Sequence, residues 1–115
     1  MLKKILEQYL SMAGVSAAAL VGNDGFVVEI ASTRPVDLDA LGALTSSAMR
    51  FFKNGGISMK MGPQKLLVFE YGGGAIILTP VSPEEFLAVM SETPAITGKL
   101  SYAVAQAGER VAAVL

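Results

Sequence analysis

The chain has 115 residues, 52% of them hydrophobic and 17% charged, with a mean hydropathy of +0.52 and a formal net charge of −1. That length supports one core and not two, and so apolar a chain with so few charges points to apolar surface hidden in an assembly. A near-neutral balance without a Lys/Arg run excludes an electrostatic footprint for nucleic acid, while the absence of Cys and His removes disulfides, thiolate chemistry and the commonest general base and metal ligand.

The N-terminus begins Met1-Leu2-Lys3-Lys4, but Glu7 interrupts any apolar run that could serve as a signal. The uncharged span from Gln8 to Asn23 contains Ser11, Gly14 and Ser16 and falls short of the ~20 residues that a membrane crossing needs. The expectation is a cytoplasmic protein with no membrane insertion. Leu2, Ile5, Leu6, Tyr9 and Leu10 recur at helical spacing against Lys3, Lys4, Glu7 and Gln8, predicting a first helix stopped by Gly14. Val15 to Val21 reads as a strand whose small residues, Ala17 to Ala19, let helices approach closely, which predicts a central place in a sheet. Gly22-Asn23-Asp24-Gly25 is a turn, since these residue types tolerate the backbone angles of a hairpin. Phe26 to Ala31 is then the partner strand, with Phe26, Val28 and Ile30 on one face.

After Arg34-Pro35, Asp37 is placed to cap a second helix running to Phe52. At ~100° per residue, Leu38, Leu41, Leu44, Thr45, Ala48, Met49 and Phe52 fall on one broad arc with Phe51 at its margin, and Asp39, Ser46, Arg50 and Lys53 collect opposite. Such an arc is wider than the ~100° stripe with which a helix covers its own sheet. The helix is either deeply buried within one chain or shared with a second subunit, and the composition favours sharing. Asn54-Gly55-Gly56 is expected to stop it, and the alternation of Ile57, Met59 and Met61 with Ser58 and Lys60 suggests a strand broken by Gly62-Pro63. Leu66 to Tyr71, Ala75 to Val81 and Phe86 to Met90 follow as a meander, turned at Gly72-Gly73-Gly74 and at Ser82 to Glu85. Pro80 should sit at a strand end or face solvent, having no N–H to give. After Thr93-Pro94 a last helix runs from about Thr97, with Leu100, Val104, Ala107, Val111 and Val114 as its apolar stripe and Lys99, Gln106, Glu109 and Arg110 outside. The sum is an α/β (α+β) chain, one domain over residues 1–115, in the order α-β-β-α-β-β-β-α: a five-stranded antiparallel sheet with helices on both faces.

Sites for chemistry are scarce. Gly72-Gly73-Gly74 has no following Lys-Ser/Thr and precedes a strand, so it fails as a phosphate loop. Asn23, Asp24 and Glu29 supply too few oxygens for Ca²⁺. Ser46 and Ser47 have no His to activate them, and Glu84-Glu85 reads as a solvated turn. No catalytic, cofactor-binding or metal-binding residue is assigned, and the chain is read as a non-enzyme.

The ordered set of Gly14-Val15 leading into an apolar strand, Asn23-Asp24-Gly25-Phe26-Val27-Val28, the helix Leu38 to Phe52, Leu67-Val68-Phe69-Glu70-Tyr71, Ala75-Ile76-Ile77-Leu78, Phe86-Leu87-Ala88-Val89-Met90 and Gly98 before Leu100 resembles the roadblock/dynein light chain family over nearly the whole chain. The resemblance implies a profilin-like or longin-like fold and a homodimer in which the second helices pack together and the third strands pair. Carried onto this sequence, that surface would use Leu41, Leu44, Ala48, Phe51 and Phe52 with the strand containing Leu67 and Phe69. Family members commonly bind small Ras-like GTPases or join scaffolds that do, and Arg50 and Lys53, beside the implied seam, are the candidates for contact with such a partner. Arg34 and Arg50 are not read as arginine fingers, since the resemblance implies a regulator that positions the GTPase's own residues. Two departures stand out: Ile57 to Pro63 is bulkier than the expected connection, and the sequence ends at Leu115, short of the additional C-terminal segment of some GTPase-activating members. The implied function is a homodimeric, non-catalytic module that regulates or recruits a GTPase. The alternatives are a structural dimer in a signalling or motility scaffold, and a small-molecule sensor of the PAS or GAF type, which the aliphatic inward positions disfavour.

Overall fold

In a computed structural model that describes residues 1–92 and 97–115 (side chains of residues 97–99 and 107 apart), the elements follow the expected order. They are α1 (Leu2–Tyr9), β1 (Val15–Gly22), β2 (Val27–Ser32), α2 (Leu38–Ser58), β3 (Leu67–Tyr71), β4 (Gly74–Pro80), β5 (Glu85–Ser91) and α3 (Thr97–Ala112). The five strands form one antiparallel sheet in the spatial order β2-β1-β5-β4-β3. β5, not the alanine-rich β1, holds the centre, although β1 is interior and every residue of it is buried. Thr93-Pro94 lies outside the described residues.

Each face of the sheet carries its own core, because strands paired on both sides bury both sets of alternating side chains. On one face α1 and α3 bring Leu6, Tyr9, Leu100, Val104 and Val111 against Val15, Leu20, Ile77, Leu87 and Val89. On the other, α2 alone brings Leu41 and Met49 against Val21, Ile76, Leu78 and Phe86. Val114 falls beyond the end of α3 and is exposed, not part of its stripe. Pro80 closes β4 beyond the reach of β3, so its missing N–H breaks no ladder bond.

Two local expectations are corrected. The first concerns β2. Its pairing with β1 is irregular between Leu20 and Val21, and the extra residue reverses which side chains point inward. Val27 and Ile30 therefore pack under α2, while Phe26 and Val28 are exposed. The second concerns α2, which does not stop at Asn54-Gly55-Gly56. It continues to Ser58, with Met59 N–H donating to Gly55 O at 3.0 Å. Glycine raises the free energy of a helix interior by only ~1 kcal/mol, so two of them permit an end without imposing one. The chain turns instead at Lys60 (φ 56°) and Gly62 (φ 86°), and the segment from Ile57 to Gly62 is a helix end and a turn, not a strand.

The start of α2 is held by Asp37, whose Oδ1 accepts from Ala40 N–H at 3.0 Å. One turn later the helix meets the β1–β2 turn backbone to backbone. A Cβ built on Gly42 would lie 2.0 Å from Gly25 O, and Gly25 itself has φ 89°. Gly42→Ala should lower stability by about 1–3 kcal/mol, the range for overpacking a tight contact; an unchanged thermal midpoint would contradict this docking.

Tyr9 is 2% exposed and its hydroxyl has no partner among the described residues. Burial pushes its pKa from 10.0 up to about 12, with Arg110 opposing the shift. The folded state thus holds this proton more tightly than the unfolded one. The stability it contributes is full below pH ~10 and is lost as pH rises toward 12. Tyr9→Phe should unfold at the same or a higher temperature at pH 7, since no hydrogen bond is lost, and should flatten the fall in thermal midpoint between pH 10 and 12.

Candidate interaction surface

The azimuth of α2 decides what this chain offers to others. Its buried residues are Leu41, Gly42, Thr45, Ser46 and Met49. Ser46, expected on the polar side, is only 2% exposed and sits beside the Gly25 turn. Thr45 is fully buried and satisfies its hydroxyl by donating to Leu41 O at 2.6 Å. At ~100° per residue, Leu44 and Phe51 stand some ~130–150° from the centre of that stripe, and both face solvent, Phe51 at 72%. Phe52 is also exposed and packs edge-on against Phe51, with ring centroids 5.2 Å apart and planes at 82°. Ala48 is half-buried. Ile57, Met59 and Met61, in the extension past the glycines, are exposed as well.

Of the residues expected at a subunit seam, the structure leaves Leu44, Phe51 and Phe52 open and half-covers Ala48, Leu67 and Phe69. Leu41 is the exception. It is 5% exposed and belongs to the core under α2, so it has no surface to share. Leu67 and Phe69 pack on the α2 side of β3, which is an edge strand of the sheet. The molecule therefore offers both an exposed apolar helix face and an unpaired strand edge.

Arg50 and Lys53 lie on the flank of α2, in a cleft of about 500 Å³ whose other walls include Pro63, Gln64, Pro80 and Pro83. Arg50 is not a free cation there. Its Nη1 donates to Asn23 O at 2.6 Å, while Asn23 Nδ2 donates to Pro83 O at 2.9 Å and Asn23 N–H to Glu84 O at 2.9 Å. Asn23 thus ties α2, the β1–β2 turn and the β4–β5 turn together. The floor is closed by Gln64 Nε2 donating to Met49 Sδ at 3.6 Å. Lys53 is exposed and has no such anchor among the described residues.

The remaining candidates separate. Arg34 forms an exposed ion pair with Glu92 at 3.2 Å, remote in sequence from Arg50. Asp24 accepts from Phe26 N–H at 3.0 Å and Ser82 Oγ donates to Glu85 Oε1 at 3.1 Å, so these acidic residues shape turns. Among the described residues no group of three or more potential ligands could hold a metal ion, and no helix is long and apolar enough to cross a membrane. Sequence reasoning missed Ser46 and the Asn23 tie. The paired Gly25 and Gly42 were the signal that could have found the first.

The Roadblock/LC7 domain family model matches residues 1–91. No curated protein matches the chain. Among solved structures the fold is similar to that of a Roadblock/LC7 domain from Streptomyces avermitilis, 21% identical with a TM-score of 0.83 over 95% of this chain and 92% of that one. It is also similar to the gliding protein mglB from Thermus thermophilus, 18% identical with a TM-score of 0.80 over 99% and 90% of the two chains. Profilin IB of Acanthamoeba castellanii is a more distant likeness, 14% identical with a TM-score of 0.67 over 98% of each chain.

Proposed function

We infer function from family and surface together: the chain belongs to the Roadblock/LC7 domain family, and we propose that it is a homodimeric, non-catalytic interaction module that regulates or recruits a small Ras-like GTPase. The observation that carries the self-association is the setting of α2, which turns Ser46 inward while Phe51 remains 72% exposed. A monomer gains nothing from that exchange. Two copies related by a two-fold axis would bury Leu44, Phe51 and Phe52 against their equivalents and pair their β3 edges, leaving neither apolar face nor strand edge open to aggregation. Leu67 and Phe69 support that seam from the sheet side.

The GTPase is the finer part of the reading. It rests on the family resemblance, and the likeness to a gliding protein is in keeping with a place in motility or signalling. Lys53 is the cation available to an acidic partner, and as a rim charge it would act more on the association rate than on affinity. A dimer within a scaffold that never touches a GTPase is the alternative.

Leu44→Asp with Phe51→Asp should leave the far-ultraviolet dichroism unchanged, since both side chains are exposed, yet weaken self-association at least 100-fold in sedimentation equilibrium. Each buried apolar side chain contributes ~1.5–3 kcal/mol, and a hundredfold change is about 2.7 kcal/mol. A well-folded double variant of unchanged mass would overturn the seam. Pull-down against small GTPases loaded with GTP or GDP checks the partner, with nucleotide-dependent capture expected; no capture in either state would favour the scaffold alternative.

A further inference from the structure

The sheet has two edges, and they are finished differently. Along the β1–β2 ladder, Thr33 N–H donates to Ser16 O at 2.9 Å, which marks that opposed pair as hydrogen-bonded. Bonded and non-bonded pairs alternate in an antiparallel ladder, so Ala18 with Ala31 is bonded and Ala19 with Ile30 is not. The other side of β1 gives the same phase. Asn23 N–H bonds to Glu84 O, and that register turns the backbone groups of Ala19 toward β5. The N–H and C=O of Ile30, like those of Ser32 opposite Ala17, therefore point away from β1, to the side where the sheet ends.

At Ile30, in the middle of that edge, both groups are occupied by side chains. Lys3, reaching over from α1, donates through Nζ to Ile30 O at 2.6 Å. Ile30 N–H donates to Glu29 Oε1 at 3.3 Å. The two side chains form an ion pair with each other at 3.6 Å. A strand added here would have to displace both. At the far edge the equivalent groups belong to Val68 and Glu70, because Tyr71 and Gly74 close a two-residue turn and set the phase of β3. Among the described residues no side chain bonds to them. The β2 edge needs its closure more: it carries exposed Phe26 and Val28, the apolar character that makes a bare edge associate.

We propose that Lys3 and Glu29 together are a stop on sheet growth, closing β2 to the β2 strand of a second copy and leaving β3 as the edge that pairs. The consequence rests on the self-association reading above. A pair of subunits joined through β3 has a β2 edge at each end of its merged sheet. Open ends would join pair to pair with no geometry that closes, and the product would be a growing ribbon.

The experiment is sedimentation velocity over a concentration series on the wild-type chain, on Lys3→Ala with Glu29→Ala, and on that double variant with Val28→Lys added. Lys3 is exposed and Glu29 is half-buried at the surface, and neither belongs to a core, so the double variant should keep wild-type dichroism. Its weight-average mass should rise with concentration to at least twice that of wild type. Val28→Lys puts a charge back on the same edge and should return the mass to the wild-type value. A double variant that matches wild type at every concentration overturns the proposal, and so does growth that Val28→Lys fails to reverse, since that is misfolding and not edge pairing. The mass of the wild type alone tests the dimer. The change on removing the clamp tests the stop, so either can fail without the other.

Discussion

The surface of this molecule follows from one contact between two stretches of backbone. Gly42 of α2 rides on the carbonyl of Gly25 in the β1–β2 turn so closely that a single added carbon would sit 2.0 Å from it. A helix pinned there cannot rotate. With its azimuth fixed, the residues that meet the sheet are Leu41, Gly42, Thr45, Ser46 and Met49, of which three are small or polar. Two hydroxyls go into the interior while two phenylalanines stay in water. Rotating α2 to bury Leu44 and Phe51 would gain ~1.5–3 kcal/mol for each, but it would carry Gly42 off the turn and push a bulkier residue into Gly25. The glycine pair thus trades apolar burial within one chain for apolar area that a second chain can cover.

This is also where reading the sequence succeeded and where it failed. The order of elements, the antiparallel sheet and the covered faces were legible because they depend on local periodicity and turn chemistry. The capping Asp37 and the terminal Pro80 behave as their side chains dictate. The excess of apolar residues along α2 was legible as a quantity. Its direction was not: a helical wheel treats Leu41 and Leu44 alike, and only the Gly25–Gly42 contact makes one core and the other surface. Ser46 was misplaced for the same reason, since hydropathy gives no hint that a turn lies over it.

The other misreadings share a cause as well. Asn54-Gly55-Gly56 reads as a stop because glycine lowers helix propensity, yet the cost per residue is small and nothing crowds Gly55. The extra residue in β2 is invisible to an alternation rule, because a one-residue slip exchanges the two faces of a strand. Phe26 and Val28, placed on one face with Ile30 by alternation, are outward while Ile30 packs under α2. That slip leaves the β2 edge apolar, so the error in the reading and the need for a clamp have one origin.

The two edges give the assembly its logic. A sheet with both edges open has no reason to stop at two subunits, and one with both closed has no reason to begin. Here, among the described residues, no side chain holds the outward backbone of β3, whereas at β2 the outward groups of Ile30 are held by Lys3 and Glu29. An exposed ion pair of this kind adds little to stability, so its value lies in what it prevents. Arg50 fits the same division. Anchored on Asn23 beside the β4–β5 turn, it lines a cleft with Lys53, Asn54 and Glu85, whereas Leu44 and Phe51 present an apolar face without charge. In the proposed pair the apolar face is spent on self-association. A partner of different chemistry would then meet the flank of α2 that carries Arg50 and Lys53, and one helix would serve both contacts.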